Sequence, residues 1–165
     1  MATAVYPGSF DPPTLGHLDI IQRSAAQFDR VVVCVMYNSA KSGLFTPEER
    51  LELLRASLAE LPGMDNVEVD QDSGLLVDYA RRQNASCVVK GLRSVGDFEY
   101  ELQMADVNRK LSGLETVFLT ARPELSFLSS TIVRELGRYG VELRGSVSDA
   151  IAEQVARRIR ERLGR

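Results

Sequence analysis

The sequence predicts an α/β fold: a five-stranded, doubly wound parallel sheet with helices on both faces. Two observations predict it. Short β-branched runs alternate along the chain with longer stretches of helical period, the order of parallel strands joined by right-handed crossovers. The short runs are also almost continuously apolar, as strands covered on both faces are. A chain of 165 residues, 44% of them apolar, is long enough to bury a core of its own. No repeat or long linker divides it, so residues 1–165 are expected to form one domain, with about 140–165 as a C-terminal helical extension.

In chain order, strands are expected at Thr3–Tyr6 (TAVY), Val31–Met36 (VVVCVM), Val67–Asp70 (VEVD), Cys87–Lys90 (CVVK) and Thr116–Leu119 (TVFL). The first helix is read from Leu18, Ile21, Ala25 and Phe28, whose three-four spacing makes one buried face. Thr46-Pro47-Glu48-Glu49 opens the second. Thr46 suits the N-cap, Pro47 the first helical position, and Glu49 closes a capping box, after which Leu51, Leu54 and Leu58 continue the apolar side. A third helix is expected over about Leu75–Gln83 and a fourth over about Phe98–Leu111. Near the C-terminus Ile151, Val155, Ile159 and Leu163 form an i, i+4 stripe. Arg157, Arg158, Arg160 and Arg162 read as the solvated face opposite it.

The charge balance narrows the function. A net charge of -3 argues against a nucleic-acid partner, which calls for a basic surface. No apolar stretch is long enough for a bilayer span, and the first residues lack a secretory layout, so no membrane partner is expected. Cys34 and Cys87 each sit inside an apolar run and read as buried thiols of a reducing compartment, which makes the cytoplasm the expected location.

In doubly wound sheets ligands bind beyond the carboxyl ends of the strands, where strand order reverses. The stretches to inspect are therefore 7–17, 37–41, 91–97 and 120–131. The first, PGSFDPPTLGH, contains the only histidine, His17. It matches neither the G-x-G-x-x-G turn nor the G-x-x-x-x-G-K-S/T loop. It does lead into a helix near Thr14, whose unpaired N–H groups favour anions. Gly16 in the first turn costs roughly 1 kcal/mol against alanine, a cost that fits close approach of a flat base. His17 beside it is read as turned towards phosphates, with capping or packing of the helix start as the alternative.

The other loops add cations and hydroxyls. Lys41 follows the second strand, where a plain surface lysine is the alternative reading. Lys90-Gly91-Leu92-Arg93 ends the fourth, two cations around a glycine that lets the backbone approach a phosphate. Asp97 reads as a first-turn charge suited to the helix dipole. Leu125-Ser126-Phe127-Leu128-Ser129-Ser130-Thr131 places three hydroxyls at a helix start where one would cap it, leaving two for further acceptors such as β- and γ-phosphates, with Arg134 one turn on.

These residues together resemble the bacterial phosphopantetheine adenylyltransferase family, within the nucleotidyltransferases marked by T/H-x-G-H and I-S-S-S/T-x-x-R. The counterparts are Thr14-Leu15-Gly16-His17 and Leu128-Ser129-Ser130-Thr131-Ile132-Val133-Arg134. YPGSFDPPTLGH, FTPEER and GLRSVGDFEYELQMADVNR carry the family-level likeness, from about Val5 to Glu135. The resemblance implies a Rossmann-like fold and transfer of AMP from ATP to 4′-phosphopantetheine, giving dephospho-coenzyme A and pyrophosphate. It implies that His17, with Lys41 and Arg93, acts on the transition state. It implies an ATP site of Ser9, Phe10, His17, Gly91, Leu92, Arg93, Glu101 and Leu125 to Thr131. Ser9, Lys41, Leu76 and Lys90 are implied at phosphopantetheine.

Magnesium is implied on the ATP phosphates, with no metal ligands from the protein. A homohexamer and feedback inhibition by coenzyme A are further family implications. Two positions depart from the commonest family pattern: Ser9 stands where threonine is frequent, and Lys90 where arginine is, so the bidentate fork is lost there. A nucleotidyltransferase acting on a mononucleotide or polyol phosphate, and a silent nucleotide-binding module, are the rival readings.

Overall fold

The computed structural model describes residues 1–164. Five strands, β1 (Thr3–Gly8), β2 (Arg30–Met36), β3 (Val67–Asp72), β4 (Cys87–Leu92) and β5 (Glu115–Thr120), form one sheet in the order β3-β2-β1-β4-β5. Every pairing is parallel. Six α-helices accompany them: α1 (Leu15–Ala25), α2 (Pro47–Leu58), α3 (Leu76–Arg82), α4 (Val95–Ser112), α5 (Ser130–Arg138) and α6 (Asp149–Leu163). The expected α/β sheet is thus the observed one.

Alternation along the strands sorts the core into two faces. Ala4, Tyr6, Val31, Val33, Val35 and Val89 meet Leu18 and Ile21 of α1 and Leu51, Leu54 and Leu58 of α2. Val5, Val32 and Cys34 meet Tyr79 and Ala80 of α3 on the other face. A further apolar cluster joins Leu53 on the outer side of α2 to Val133 of α5 and to Ile151, Val155 and Ile159 of α6. Each such fully buried aliphatic side chain contributes about 1.5–3 kcal/mol, so α6 is fastened to the body of the molecule. Both cysteines are buried and free. Among the described residues no helix is long and apolar enough to cross a membrane.

The sequence-based boundaries differ in informative places. β1 runs on to Gly8, so Pro7 and Gly8 belong to the strand and not to the turn. Pro7, which has no N–H to give, lies where β1 still pairs with β2 but is already past its last partner in β4, Val5 opposite Val88. α1 ends at Ala25, and Phe28 packs on the core from the loop beyond it. α4 starts three residues before Phe98 and so includes Asp97. Leu163, expected inward, is 36% exposed in the last turn of α6.

Candidate active site

The strands leave β1 towards β2 and β3 on one side, and towards β4 and β5 on the other. The reversal opens a crevice at the carboxyl ends of β1 and β4, the place where such sheets bind ligands. A cleft of about 330 Å³ lies there, lined by Gly8 at the end of β1 and Ser9 after it, Gly16 and His17 of α1, Lys90 and Arg93 around the end of β4, Glu101 of α4, and Leu125, Leu128, Ser129 and Ser130. The N-termini of α1 and α5 border it, capped by Thr14 and Ser129. Their unpaired N–H groups and dipole ends make this a place for anions.

His17 owes its orientation to the helix start. The hydroxyl of Thr14 accepts from His17 N–H at 3.3 Å, and Thr14 N–H donates to Nδ1 of His17 at 3.0 Å. This is a capping box in which an imidazole does the work usually given to Glu or Gln. An N–H donates only to an unprotonated Nδ1, so the ring's proton sits on Nε2. Phe10 packs edge-on against the ring, with centroids 4.9 Å apart. Burial, and then the charge of Arg93, lower the histidine's pKa from 6.5 to about 4. His17 is therefore a neutral, oriented Nε2–H donor at pH 7. The capping alternative is thus the observed one, and it leaves Nε2–H as the ring's donor.

Arg93 is braced by α4. Its Nε donates to Asp97 Oδ2 at 3.0 Å and its Nη2 to Oδ1 at 3.3 Å, while Nη1 donates to the carbonyl of Leu128 at 3.0 Å. Asp97 is thus more than a first-turn charge: it aims the arginine. Lys90 Nζ stands 3.3 Å from Glu101 Oε2, an ion pair across the cleft wall. Gly91 also has a packing reason. A Cβ there would meet Cγ1 of Ile20 at 3.0 Å, so the glycine lets α1 sit close on β4, and it still lines the cleft. At Gly16 a Cβ would meet only Thr14 Oγ1 at 3.4 Å and more distant atoms, so nothing in the chain itself forbids a larger residue.

A second cavity, of about 970 Å³, adjoins the first, and Ser9, His17 and Ser130 border both. Its wall carries the cations Lys41, Arg50, Arg134 and Arg162 against the carboxylates Asp11 and Glu48. Asp11 organises this side. Its carboxylate accepts from Leu44 N–H at 2.8 Å and Phe45 N–H at 2.9 Å, and lies 3.4 Å from Arg50 Nε. Arg50 in turn donates to the carbonyls of Phe45 (2.9 Å) and Ser9 (3.3 Å). Gly43 makes room for that guanidinium, since a Cβ would run into Arg50 Nη2 and Asp11 Oδ2. The hydroxyls of the last loop also have protein partners. Ser130 donates to the carbonyl of Pro12 at 2.7 Å, and Thr131 accepts from Arg134 at 3.2 Å.

Of the residues expected at the site, the cleft gathers Ser9, His17, Lys90, Gly91, Arg93, Glu101, Leu125, Leu128, Ser129 and Ser130. The larger cavity gathers Phe10, Lys41 and Thr131, with Ser9, His17 and Ser130 again. Lys90 and Lys41 therefore line different spaces. Leu76, Leu92, Ser126 and Phe127 line neither; Leu76 packs against the core under α3, and Phe127 is 60% exposed. Sequence reasoning missed Asp11, Arg50 and Gly43. Asp11 reads as an ordinary turn residue before two prolines, and Arg50 is one charge among several in PEERLELL.

The model of the cytidylyltransferase-like family matches residues 5–136, which span every residue lining the cleft. Phosphopantetheine adenylyltransferase of Caldanaerobacter subterraneus subsp. tengcongensis is 49% identical over 162 residues, 98% of this chain and 99% of that protein. The chain belongs to the phosphopantetheine adenylyltransferase family. A second relative of that name, from Frankia casuarinae, is also 49% identical, over 96% of this chain and 99% of its own. Among solved structures, Plasmodium falciparum nicotinic acid mononucleotide adenylyltransferase complexed with NaAD superposes with a TM-score of 0.66 over 97% of this chain and 95% of that one. At 12% identity it shares the fold alone.

Proposed function

We propose that the protein transfers AMP from ATP to 4′-phosphopantetheine, giving dephospho-coenzyme A and pyrophosphate, as the names of its relatives suggest. The observation that carries the reading is the shared wall: Ser9, His17 and Ser130 border two cavities, so two ligands held separately meet at the imidazole. ATP lies in the cleft with its base over Gly16 and near Leu125 and Leu128, and with its phosphates at the helix starts. Phosphopantetheine enters through the larger cavity past Lys41, which also has room for the departing pyrophosphate beside Ser130 and Thr131.

The acceptor phosphate is anionic already and needs no general base. One of its oxygens bonds to the α-phosphorus of ATP, the bond from that phosphorus to the α–β bridging oxygen breaks, and the electron pair leaves with pyrophosphate. Alignment and charge stabilisation then supply the catalysis. His17 is suited to this because its Nε2–H is fixed by the cap and needs no proton from solvent. A preorganised donor of this kind contributes roughly 10²–10³ in kcat. Arg93, aimed by Asp97, and Lys41 offset the charge that builds on the phosphates.

Magnesium arrives on the triphosphate as part of the substrate. The cleft's carboxylates, Asp97 and Glu101, face Arg93 and Lys90, which suits a metal carried by the nucleotide. Residues 1–165 work as one catalytic domain in the cytoplasm, in keeping with two buried free thiols. Coenzyme A, which contains the phosphopantetheine and adenosine moieties, is a feedback ligand of the same cavities. A homohexamer is the assembly this family reading carries, and the exposed Val95, Tyr100, Leu102, Val107 and Leu111 of α4 support a contact between copies.

The test is pyrophosphate release by the purified protein with ATP and magnesium. Release with 4′-phosphopantetheine and none with nicotinate or nicotinamide mononucleotide is expected. Release with a mononucleotide alone overturns the substrate assignment.

A further inference from the structure

Lys41 stands on a stretch that the sheet does not hold. Residues 38–42 are exposed beyond the end of β2. Their own ties are short-range: Lys41 N–H donates to the Asn38 carbonyl, and Ala40 N–H to Asn38 Oδ1, each at 2.9 Å. The order this loop needs comes from the far end of the chain. Arg158 of α6 donates through Nη1 to the carbonyl of Leu44 at 3.2 Å and to Glu49 Oε2 at 2.9 Å, and through Nη2 to Glu49 Oε1 at 2.6 Å. Its guanidinium also lies over the Phe45 ring, 4.7 Å from the centroid. One turn on, Arg162 donates to the carbonyl of Gly43 at 3.2 Å and lines the larger cavity.

These contacts correct the expectation of a solvated arginine face at Arg158 and give Arg162 a partner, while Arg157 and Arg160 are exposed as expected. Glu49 closes the cap of α2, accepting from Thr46 N–H at 2.8 Å, so Arg158 grips the loop and the helix start together. Asp11 holds the N–H groups of Leu44 and Phe45 from the other side. The stretch 43–45 is thus clamped between the turn after β1 and α6, two residues from Lys41. A planar fork that makes two parallel bonds and stacks on an aromatic ring fixes position better than a lysine could.

We propose that Arg158 is a positioning residue for the acceptor cavity: together with Arg162 it straps α6 to residues 43–45 and so sets where Lys41 meets the acceptor's phosphate. The inference rests on the phosphopantetheine reading and adds α6 to the machinery of that site.

The experiment uses the full chain and the variants Arg158→Ala, Arg158→Lys and Arg162→Gln. Calorimetry reads 4′-phosphopantetheine and ATP separately, and hydrogen exchange reads the amides of 38–45. Arg158→Ala is expected to raise the Kd for phosphopantetheine about tenfold, a misplacement effect, with ATP affinity kept and exchange over 38–45 quickened. Arg158→Lys recovers part of the loss, and Arg162→Gln, at the surface, gives a smaller loss of the same kind. Should Arg158→Ala fail to fold, the other two variants decide. Wild-type phosphopantetheine affinity in the variants, equal weakening of both ligands, or unchanged exchange over 38–45 overturns the strap. A wild-type protein that binds ATP but not phosphopantetheine contradicts the substrate reading instead, and the exchange measurement then tests the strap alone.

Discussion

The cleft between β1 and β4 and the larger cavity beside Lys41 share a wall but are ordered by different means. The cleft is framed by regular elements. Two strand ends, two capped helix starts and the close seat of Ile20 against Gly91 fix its walls through backbone geometry and core packing. The larger cavity is framed by loops, and side chains from distant parts of the chain hold them: Asp11, Arg50, Arg158 and Arg162. The difference teaches where each site is vulnerable. A change in the cleft acts on its walls directly, whereas a change at Arg158, which lines neither cavity, acts on the larger one only through the loop it holds.

The largest expected effect that separates the two is Asp11→Ala. It leaves two buried backbone N–H groups without their acceptor and the Arg50 guanidinium without its carboxylate, and breaking one side of a buried pair costs about 3–5 kcal/mol. Chemical denaturation of the variant measures that loss. A loss below about 1 kcal/mol would mean that the 43–45 stretch is held mainly by α6.

Gly16→Ala sharpens the comparison from the cleft side. The added methyl meets only ordinary contacts within the protein, so the folded state is expected to be as stable or more stable, by up to about 1 kcal/mol. The same methyl projects towards the cleft, where the proposed function puts the base, and ATP affinity is expected to fall while phosphopantetheine affinity holds. Stability and binding moving in opposite directions is a signature that simple misfolding does not produce. Unchanged ATP affinity would remove the base from this position.

The smallest effect is a titration. The protein has one histidine, so its ring signal in a proton NMR titration needs no assignment. A midpoint near 4 is expected. Between pH 4 and 6.5 the unfolded chain takes up the proton more readily than the folded one. This contribution to stability is therefore complete above 6.5 and lost as pH falls through that window. Glu49 adds a second loss at lower pH. Its hydrogen bond to Arg158 lowers its pKa from 4.5 to about 2, so its stabilising part fades as pH falls from 4.5 towards 2. A His17 midpoint above 6 would contradict the neutral-donor assignment.

Much of the cleft and little of the cavity's support was legible in the sequence. The strands announced themselves because parallel strands covered on both faces must be apolar at nearly every position, as in VVVCVM. Capping chemistry is local, so Thr46 to Glu49 could be read directly. His17 fell between: T-x-x-H is a capping box with an unusual fourth residue, and the spacing held both its cap and its tautomer. Arg158 could not be read. On a helical wheel it belongs to the polar side, and only the fold brings it within reach of Glu49, 109 residues away. The packing role of Gly91 was hidden for the same reason, since its neighbour Ile20 is distant in sequence. Local rules found what local geometry fixes, and contacts across the fold supplied the rest.

The central claim is that a neutral, cap-oriented His17 donates to an oxygen of the reacting phosphate where the two cavities meet. Steady-state pyrophosphate release by His17→Ala, with ATP affinity measured in parallel, tests it most directly. The account expects kcat and kcat/KM to fall together by roughly 10²–10³ while ATP affinity changes little. A variant that keeps its kcat and loses only KM would contradict it, and would leave the imidazole as a ground-state contact.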